Sequence, residues 1–441
     1  MLVTILAFLF VLAFSITIHE FGHFLIAKLF KIPVEKFSIG YGPPLIRRRI
    51  GETDFRIAYF PLGGYVKIAG EDEGEIAKKA LKDTESTEGN TTQKTPEKQA
   101  VGFYDAPIHK RVLIVLGGPV FNILSAVFVF IVIFSVFGLL VNPYMKIDVL
   151  TGSEAQDAGL MRNDSIVSVS GKTVSDWEEL LDVLVEHDGH AVTIGLVRDG
   201  DFMEKQFVVN TDSLGIMPLI PPILGSLKLD GPAHKAGMKQ GDLILRIDDE
   251  KMETWHQMVN KIRVSIDIPL HFVWQGDAMI KEATITPVSF YDHTTQDTVG
   301  QIGAIMPLVR KHLPFIEVVS LATQRSAEVF WLTLKTIYQL IIGRISRRAI
   351  GGPIAIAQLS GESARWGFEN LLGLLAIISI NLGLINLFPI PALDGGHVMI
   401  SMIEAVRNKR FSHRTRLIIQ QVGYAIILLL IIFVTFNDIT R

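Results

Sequence analysis

The sequence predicts a polytopic α-helical membrane protein with four transmembrane helices, a membrane-associated β-hairpin region and two tandem α+β modules. Three observations carry that reading. Apolar runs recur at residues 2–30, 112–141, 371–388 and 417–436, each close to or above the ~20 residues a bilayer requires. A stretch of about 170 residues between the second and third runs is soluble in character and repeats itself. Hydrophobic residues make up 49% of the 441 positions and charged residues only 20%. A net charge of −3 offers no attraction to nucleic acid, so no nucleic-acid partner is expected. The absence of cysteine excludes disulfides, thiolate metal sites and cysteine nucleophiles, which leaves His, Asp and Glu as ligands.

Residues 1–30 form the expected first transmembrane helix, without the positive n-region or small-residue cleavage site of a removable signal peptide. Lys28 and Lys31 place its C-terminal end in the cytoplasm. Residues 31–70 read as the membrane-associated β-hairpin region. Gly40, Gly42, Pro43, Pro44, Gly51, Pro61, Gly63 and Gly64 surround short β-like runs at 54–60 and 65–68. Such a region serves either as an edge for an extended substrate or as a plain surface hairpin, and the residues alone do not separate the two. Residues 71–105, polar and mixed in charge, are expected to be a flexible cytoplasmic loop, on which the sequon Asn90-Thr91-Thr92 has no meaning. Residues 106–142 hold the second transmembrane helix. Gly117-Gly118-Pro119 is expected to start or bend its spanning part, and Asn122 to act as interhelical glue or to reach a substrate.

The repeat fills residues 143–220 and 221–310. Ala158-Gly159-Leu160 returns as Ala236-Gly237-Met238, 78 positions on (237 minus 159), and the same offset maps Asp164 onto Asp242, Ile166 onto Ile244 and Trp177 onto Trp255. Each copy reads as a small-residue turn, a β-like run and an amphipathic helix, a pattern that resembles PDZ domains in the permuted order of bacterial envelope proteases. The second copy has Gly241 before its aspartate where the first has Asn163, which tolerates the left-handed conformation.

Residues 311–369 read as an interfacial amphipathic helix and a connecting segment. Glu317, Gln324, Glu328, Lys335 and Gln339 make one polar stripe, and Arg344, Arg347 and Arg348 precede the break at Gly351-Gly352-Pro353. The third transmembrane helix and the motif Leu393-Asp394-Gly395 fall in 370–400. A basic cytoplasmic loop follows at 401–416, with the fourth transmembrane helix and tail at 417–441. The predicted course is outside, in, out, in, outside.

The chemistry is concentrated in His19-Glu20-Phe21-Gly22-His23. At ~3.6 residues per turn, His19 and His23 share a helix face and aim imidazole nitrogens at one Zn²⁺, with Glu20 beside them as a base. Ionisable groups within a span default to a functional reading; the alternative is a packed or snorkelling pair. A catalytic zinc takes three protein ligands plus water, so one ligand is missing locally. His19 lies roughly 25 Å along the helix from Leu2 at ~1.5 Å per residue, towards the cytoplasmic side. Asp394, just past the third span, sits at the same depth, before paired glycines that let backbone approach closely. His397 is the rival third ligand, or else a supporting or structural group. Glu404 and His413 lie close to the basic loop and are set aside.

The His19–His23 motif, Gly118-Pro119 leading to Asn122, and Asn386-Leu387-Phe388-Pro389-Ile390-Pro391-Ala392-Leu393-Asp394-Gly395 together resemble the site-2 protease family. The likeness runs over essentially the whole chain, to Phe436-Asn437-Asp438. It implies His19, His23 and Asp394 as zinc ligands, Glu20 as catalytic base and a substrate contact at Asn386. It also implies that the region around Gly40-Tyr41-Gly42-Pro43 pairs with substrate. The implied activity is hydrolysis of peptide bonds inside the membrane segments of single-span proteins, such as a pre-trimmed anti-sigma factor, and of remnant signal peptides. The implied place is the bacterial inner membrane, with the PDZ-like modules on the periplasmic side excluding untrimmed substrates. Two other classes compete: a scaffold with a degenerate metal site, against which the intact ligands and base argue, and a zinc transporter or sensor, which does not require Glu20.

Overall fold

The computed structural model describes residues 1–70, 102–210, 214–292, 297–345 and 351–440. The expected flexible loop at 71–100, its sequon, and Arg347 and Arg348 lie outside the described residues. The chain divides into a helical unit (1–136, 314–364 and 368–441) and a unit rich in strands (137–313 with 365–367).

Helix α1 (Leu2–Leu29) is apolar around its circumference, as suits a helix bordered by lipid and protein. After it, β1 (Val34–Ile50) and β2 (Thr53–Ile68) pair antiparallel. Each strand folds over at its glycines, with φ of +89° at Gly40, +99° at Gly42 and +127° at Gly63. Phe37 therefore pairs with both Phe55 and Val66, and Arg48 also pairs with Phe55. Four segments result, in the order 46–50, 53–58, 36–39, 64–68, with 64–68 at an edge among the described residues. A core of Ala27, Ile32, Val34, Ile68, Phe103, Ile114 and Val115 seats this sheet on α1 and on α2 (Ile108–Val136).

One expectation for α2 narrows and one changes. The helix starts at Ile108, so Gly117-Gly118-Pro119 lies inside it, which removes only the alternative that it starts the helix. These glycines serve contact instead: a Cβ on Gly22 would sit 2.3 Å from the Gly117 carbonyl oxygen, and one on Gly117 would sit 2.7 Å from that of Gly22. The helix also ends at Val136, short of the apolar run's end, because β3 (Leu139–Val141) pairs with the strand by which the chain leaves the second unit.

That unit holds two copies of one design. In the first, β4 (Ile147–Val149) precedes a helical turn, α3 (Glu154–Asp157). Then come β5 (Ser165–Val169), β6 (Lys172–Thr173), α4 (Trp177–Glu186), β7 (Ala191–Arg198), β8 (Asp201–Val208) and β9 (Ile216–Pro218). In the second, the turn is α5 (Pro232–Lys235), followed by β10 (Leu243–Ile247), β11 (Glu250–Lys251), α6 (Trp255–Arg263), β12 (Leu270–Gly276) and β13 (Met279–Ile285). The sheet orders correspond, β6-β5-β7-β8 and β11-β10-β12-β13. The bulge repeats as well, between Ile166 and Ser168 and between Ile244 and Arg246. Asn163 takes φ +75° where Gly241 takes +92°, so the asparagine does supply the left-handed turn. Trp177 and Trp255 begin equivalent helices and enter equivalent cores. The hairpin β14 (Val288–Asp292) and β15 (Asp297–Gln301) completes the second copy, and β16 (Val309–Lys311) is the partner of β3.

Back in the helical unit, α7 (Phe315–Ile341) buries Val318, Ala322, Ser326 and Val329 and leaves the predicted stripe residues Glu317, Gln324, Glu328 and Lys335 exposed. Next come α8 (Pro353–Trp366), α9 (Phe368–Asn386), α10 (Asp394–Arg407) and α11 (His413–Thr440). The segment expected as a basic loop at 401–416 is helical as far as Arg407, because Ile400, Ser401 and Glu404 give it a buried face that its surface charge disguises. The last helix likewise starts at His413, not 417. At its far end the Asp438 carboxylate accepts backbone N–H bonds from Gly352, Ile354 and Ala355, capping α8 from a distant part of the chain. Among the described residues, four helices are long and apolar enough to cross a membrane: Leu2–Leu29, Ile108–Val136, Phe368–Asn386 and Arg414–Thr440. The charged helix α7 is not one of them.

Candidate metal centre and active site

His19 and His23 stand one turn apart on the face of α1 that meets α2, and Asp394 begins α10, far along the chain. His19 Nε2 lies 3.0 Å and His23 Nε2 3.6 Å from Asp394 Oδ2, and the two nitrogens are 3.2 Å apart. One ligand atom from each of the three residues falls within 4.8 Å of the others, the one such group found among the described residues. His397, the rival ligand, is not in it.

Glycines make the convergence possible. A Cβ on Gly118 would lie 2.4 Å from His23 Nε2 and 2.7 Å from His19 Cε1, so α2 leaves the two rings their space only because that position has no side chain. Cβ atoms on Gly395 and Gly396 would lie 2.3 Å from the Leu387 and Ile390 carbonyl oxygens, so this pair lets the Asp394 loop fold back on itself. Ala392, two residues before the aspartate, has φ +89°, a strained conformation for a residue with a side chain.

The surroundings also orient the rings. His23 Nδ1 lies 2.9 Å from the Ile114 carbonyl oxygen, so Nδ1–H donates and the lone pair of Nε2 faces the cluster. The amides of Asn122 and Asn386 lie 3.3 and 3.5 Å from His19 Nδ1. Asn122 is fully buried and its Oδ1 has no partner. Turning that amide by 180° presents Oδ1 to His19 Nδ1–H and leaves His19 Nε2 open as well. Asp394 Oδ2 is inaccessible and makes no hydrogen bond, although two imidazoles face it. Two imidazole lone pairs and a carboxylate oxygen aimed at one point repel one another unless a cation lies among them, and this nitrogen and oxygen set suits Zn²⁺. The residues fit the metal.

A cavity of about 260 Å³ opens onto the group. Glu20, Asn386 and His397 line it, together with Val66 and Ile68 of the 64–68 edge segment. Glu20 is close to that segment: a Cβ on Gly64 would lie 3.3 Å from its Cγ. Asn122 stays behind His19, outside the lining. The sequence missed the space-making role of Gly118; its one visible signal was a glycine pair in an apolar span, opposite Gly22. It also missed Glu404, which is buried and bound to Arg111 and Arg416.

Comparisons with known proteins identify relatives over nearly the whole chain. The model of peptidase family M50 matches residues 7–430. A Vibrio cholerae protein whose name carries the words "zinc metalloprotease" is 33% identical, covering 99% of this chain and 98% of its own. The Regulator of sigma-E protease RseP of Salmonella typhimurium is 30% identical, with 99% and 98% covered. Among solved structures, the PDZ domain of an SdrC-like protein from Listeria monocytogenes aligns with 20% of this chain and 93% of its own, at 16% identity and a TM-score of 0.17. The chain therefore belongs to peptidase family M50, the site-2 proteases, and is an integral membrane zinc metalloprotease.

Proposed function

We propose that this protease cuts peptide bonds within the transmembrane segments of membrane-anchored, single-span substrates in a bacterial inner membrane. Pre-trimmed anti-sigma factors and remnant signal peptides are the substrate classes. The observation that carries the reading is the convergence of His19, His23 and Asp394 beside Glu20, with both histidines on a helix apolar enough to span a bilayer. In this reading those three hold Zn²⁺, which when bound polarises the scissile carbonyl and lowers the pKa of water. Glu20 takes the proton from the attacking water on its carboxylate and passes it to the leaving amine. Asn122 fixes the tautomer of His19, and Asn386 contacts the substrate at the cavity wall.

A helical substrate shields its carbonyls within its own hydrogen bonds and must be extended before it can be cut. Val66 and Ile68 of the 64–68 segment line the cavity, and strand-like pairing of an extended substrate with this segment would replace the substrate's lost helix bonds. The stripe on α7 supports an interfacial position for that helix. The basic residues around α10 and after α1 support a metal centre towards the cytoplasm, with the two modules, read as PDZ-like, facing the periplasm and restricting access.

The test is to incubate zinc-loaded, full-length protein with a tagged single-span substrate and weigh the products. A cut inside the apolar span is expected. Cuts confined to the flanking polar segments would overturn the reading.

A further inference from the structure

Two cavities of the helical unit meet at His397. It lines the catalytic cavity and also a small chamber of about 10 Å³ bordered by Arg111, Glu404 and Arg416. In that chamber Glu404 is saturated. Its Oε2 accepts from Arg111 Nη1 at 3.0 Å, and its Oε1 accepts from Arg416 Nη2 at 2.7 Å and the Phe411 N–H at 2.9 Å. One donor is left over: Arg111 Nε is buried with no partner. The chamber has about the least room that holds a single water, and a polar wall to hold it. A water accepting from Arg111 Nε–H has two hydrogens to give. His397 borders the same space and its ring makes no hydrogen bond among the described residues, so a ring nitrogen can accept. An uncharged imidazole that accepts at one nitrogen carries its hydrogen on the other.

His397 also stands where a group attending the substrate belongs. On α10 it follows Asp394 by three residues, which places their Cβ atoms ~5–6 Å apart on one helix face. It is nevertheless outside the group of converging ligand atoms. It therefore lines the wall of the catalytic cavity without being one of the three converging ligands.

We propose that His397 is a further catalytic residue: a neutral imidazole, oriented through a water on Arg111, that donates its ring N–H to the substrate's carbonyl oxygen as that oxygen gains negative charge. The histidine forms and breaks no covalent bond; it supplies one hydrogen bond that strengthens towards the transition state. The proposal rests on the zinc protease reading above.

The experiment compares full-length wild type, His397→Ala, His397→Gln and Glu20→Gln for bound zinc, kcat and KM on the tagged single-span substrate. His397→Ala is expected to keep one zinc per chain and a KM within about threefold, and to lose on the order of 10²-fold in kcat. His397→Gln, which retains an N–H donor, is expected to recover at least about tenfold of that loss. Loss of zinc from His397→Ala would overturn the proposal in favour of a ligand or structural role. So would a kcat within threefold of wild type, or equal losses in the two His397 variants. Glu20→Gln separates the levels: if it is inactive while the His397 variants are normal, only this proposal falls, whereas full activity in Glu20→Gln would remove the reading beneath it.

Discussion

Asp164 in the first module and Asp394 at the head of α10 are both carboxylates taken from water, and their surroundings differ in kind. Asp164 is completely inaccessible, yet every direction around it is answered. Arg198 Nε reaches Oδ1 at 2.6 Å, Arg198 Nη2 reaches Oδ2 at 2.8 Å, and the Met161 N–H donates to Oδ2 at 2.8 Å. Burial by itself would raise its pKa, but Arg198 and the Met161 N–H outweigh that and hold it below the ordinary carboxylate value. The Asp394 side chain keeps 18% exposure, yet its Oδ2 has no hydrogen bond and faces two imidazoles. Depth of burial therefore does not separate a structural carboxylate from a chemical one. Saturation does. Glu404 lies near the metal centre and still belongs with Asp164, because Arg111, Arg416 and Phe411 satisfy it.

The largest effect expected from this contrast is at the open carboxylate. Asp394→Ala should abolish stoichiometric zinc binding and lower cleavage by ~10³-fold or more, while the thermal midpoint of the metal-free protein stays equal or rises. Zinc content and calorimetry on the same preparation check this, and a collapsed midpoint would place Asp394 among the structural carboxylates. The saturated one should behave in reverse. Asp164→Ala strands Arg198 and should cost about 3 kcal/mol in the strand-rich unit, with zinc content unchanged. Denaturant titration followed by tryptophan fluorescence reads it, since Trp177 lies in the affected core.

A smaller effect separates saturated pairs at the surface from those inside. Lys311 holds the Glu179 carboxyl at a pKa of about 2, chiefly through its hydrogen bond. The depressed value means that the pair stabilises the folded state above the unfolded value near 4.5, and that the contribution is lost as pH falls towards 2. Because Glu179 is 42% exposed, the amount is below about 1 kcal/mol. Lys311→Met should flatten the pH dependence of unfolding across that window, and an unchanged slope would assign the dependence to other carboxylates.

The sequence and the structure part company along similar lines. His19 and His23 were legible because helix periodicity is local, and Asp394 because spans and charges fix depth. The two modules were legible because a repeat declares itself: Gly159 and Gly237 both stand at φ +81°. Contacts between distant segments left no such pattern. The fit of Gly118 around two imidazoles depends on how two helices cross. The Arg111–Glu404–Arg416 cluster was hidden because, in sequence, its charges look like the basic residues of a cytoplasmic loop, and only burial on three helices reveals them. Asn122 does join two helices, as one of its two readings expected, but that its partner is a ring nitrogen of His19 left no pattern in the sequence.

The role proposed for Glu20 is chemistry at a metal it does not hold. Glu20→Gln tests it most directly, with zinc stoichiometry and cleavage of the single-span substrate measured on one purified sample. Zinc should be bound as in wild type and cleavage reduced by on the order of 10³-fold or more, since the amide fills the same space but cannot take a proton. Cleavage at the wild-type rate, or loss of the zinc together with the activity, would contradict it.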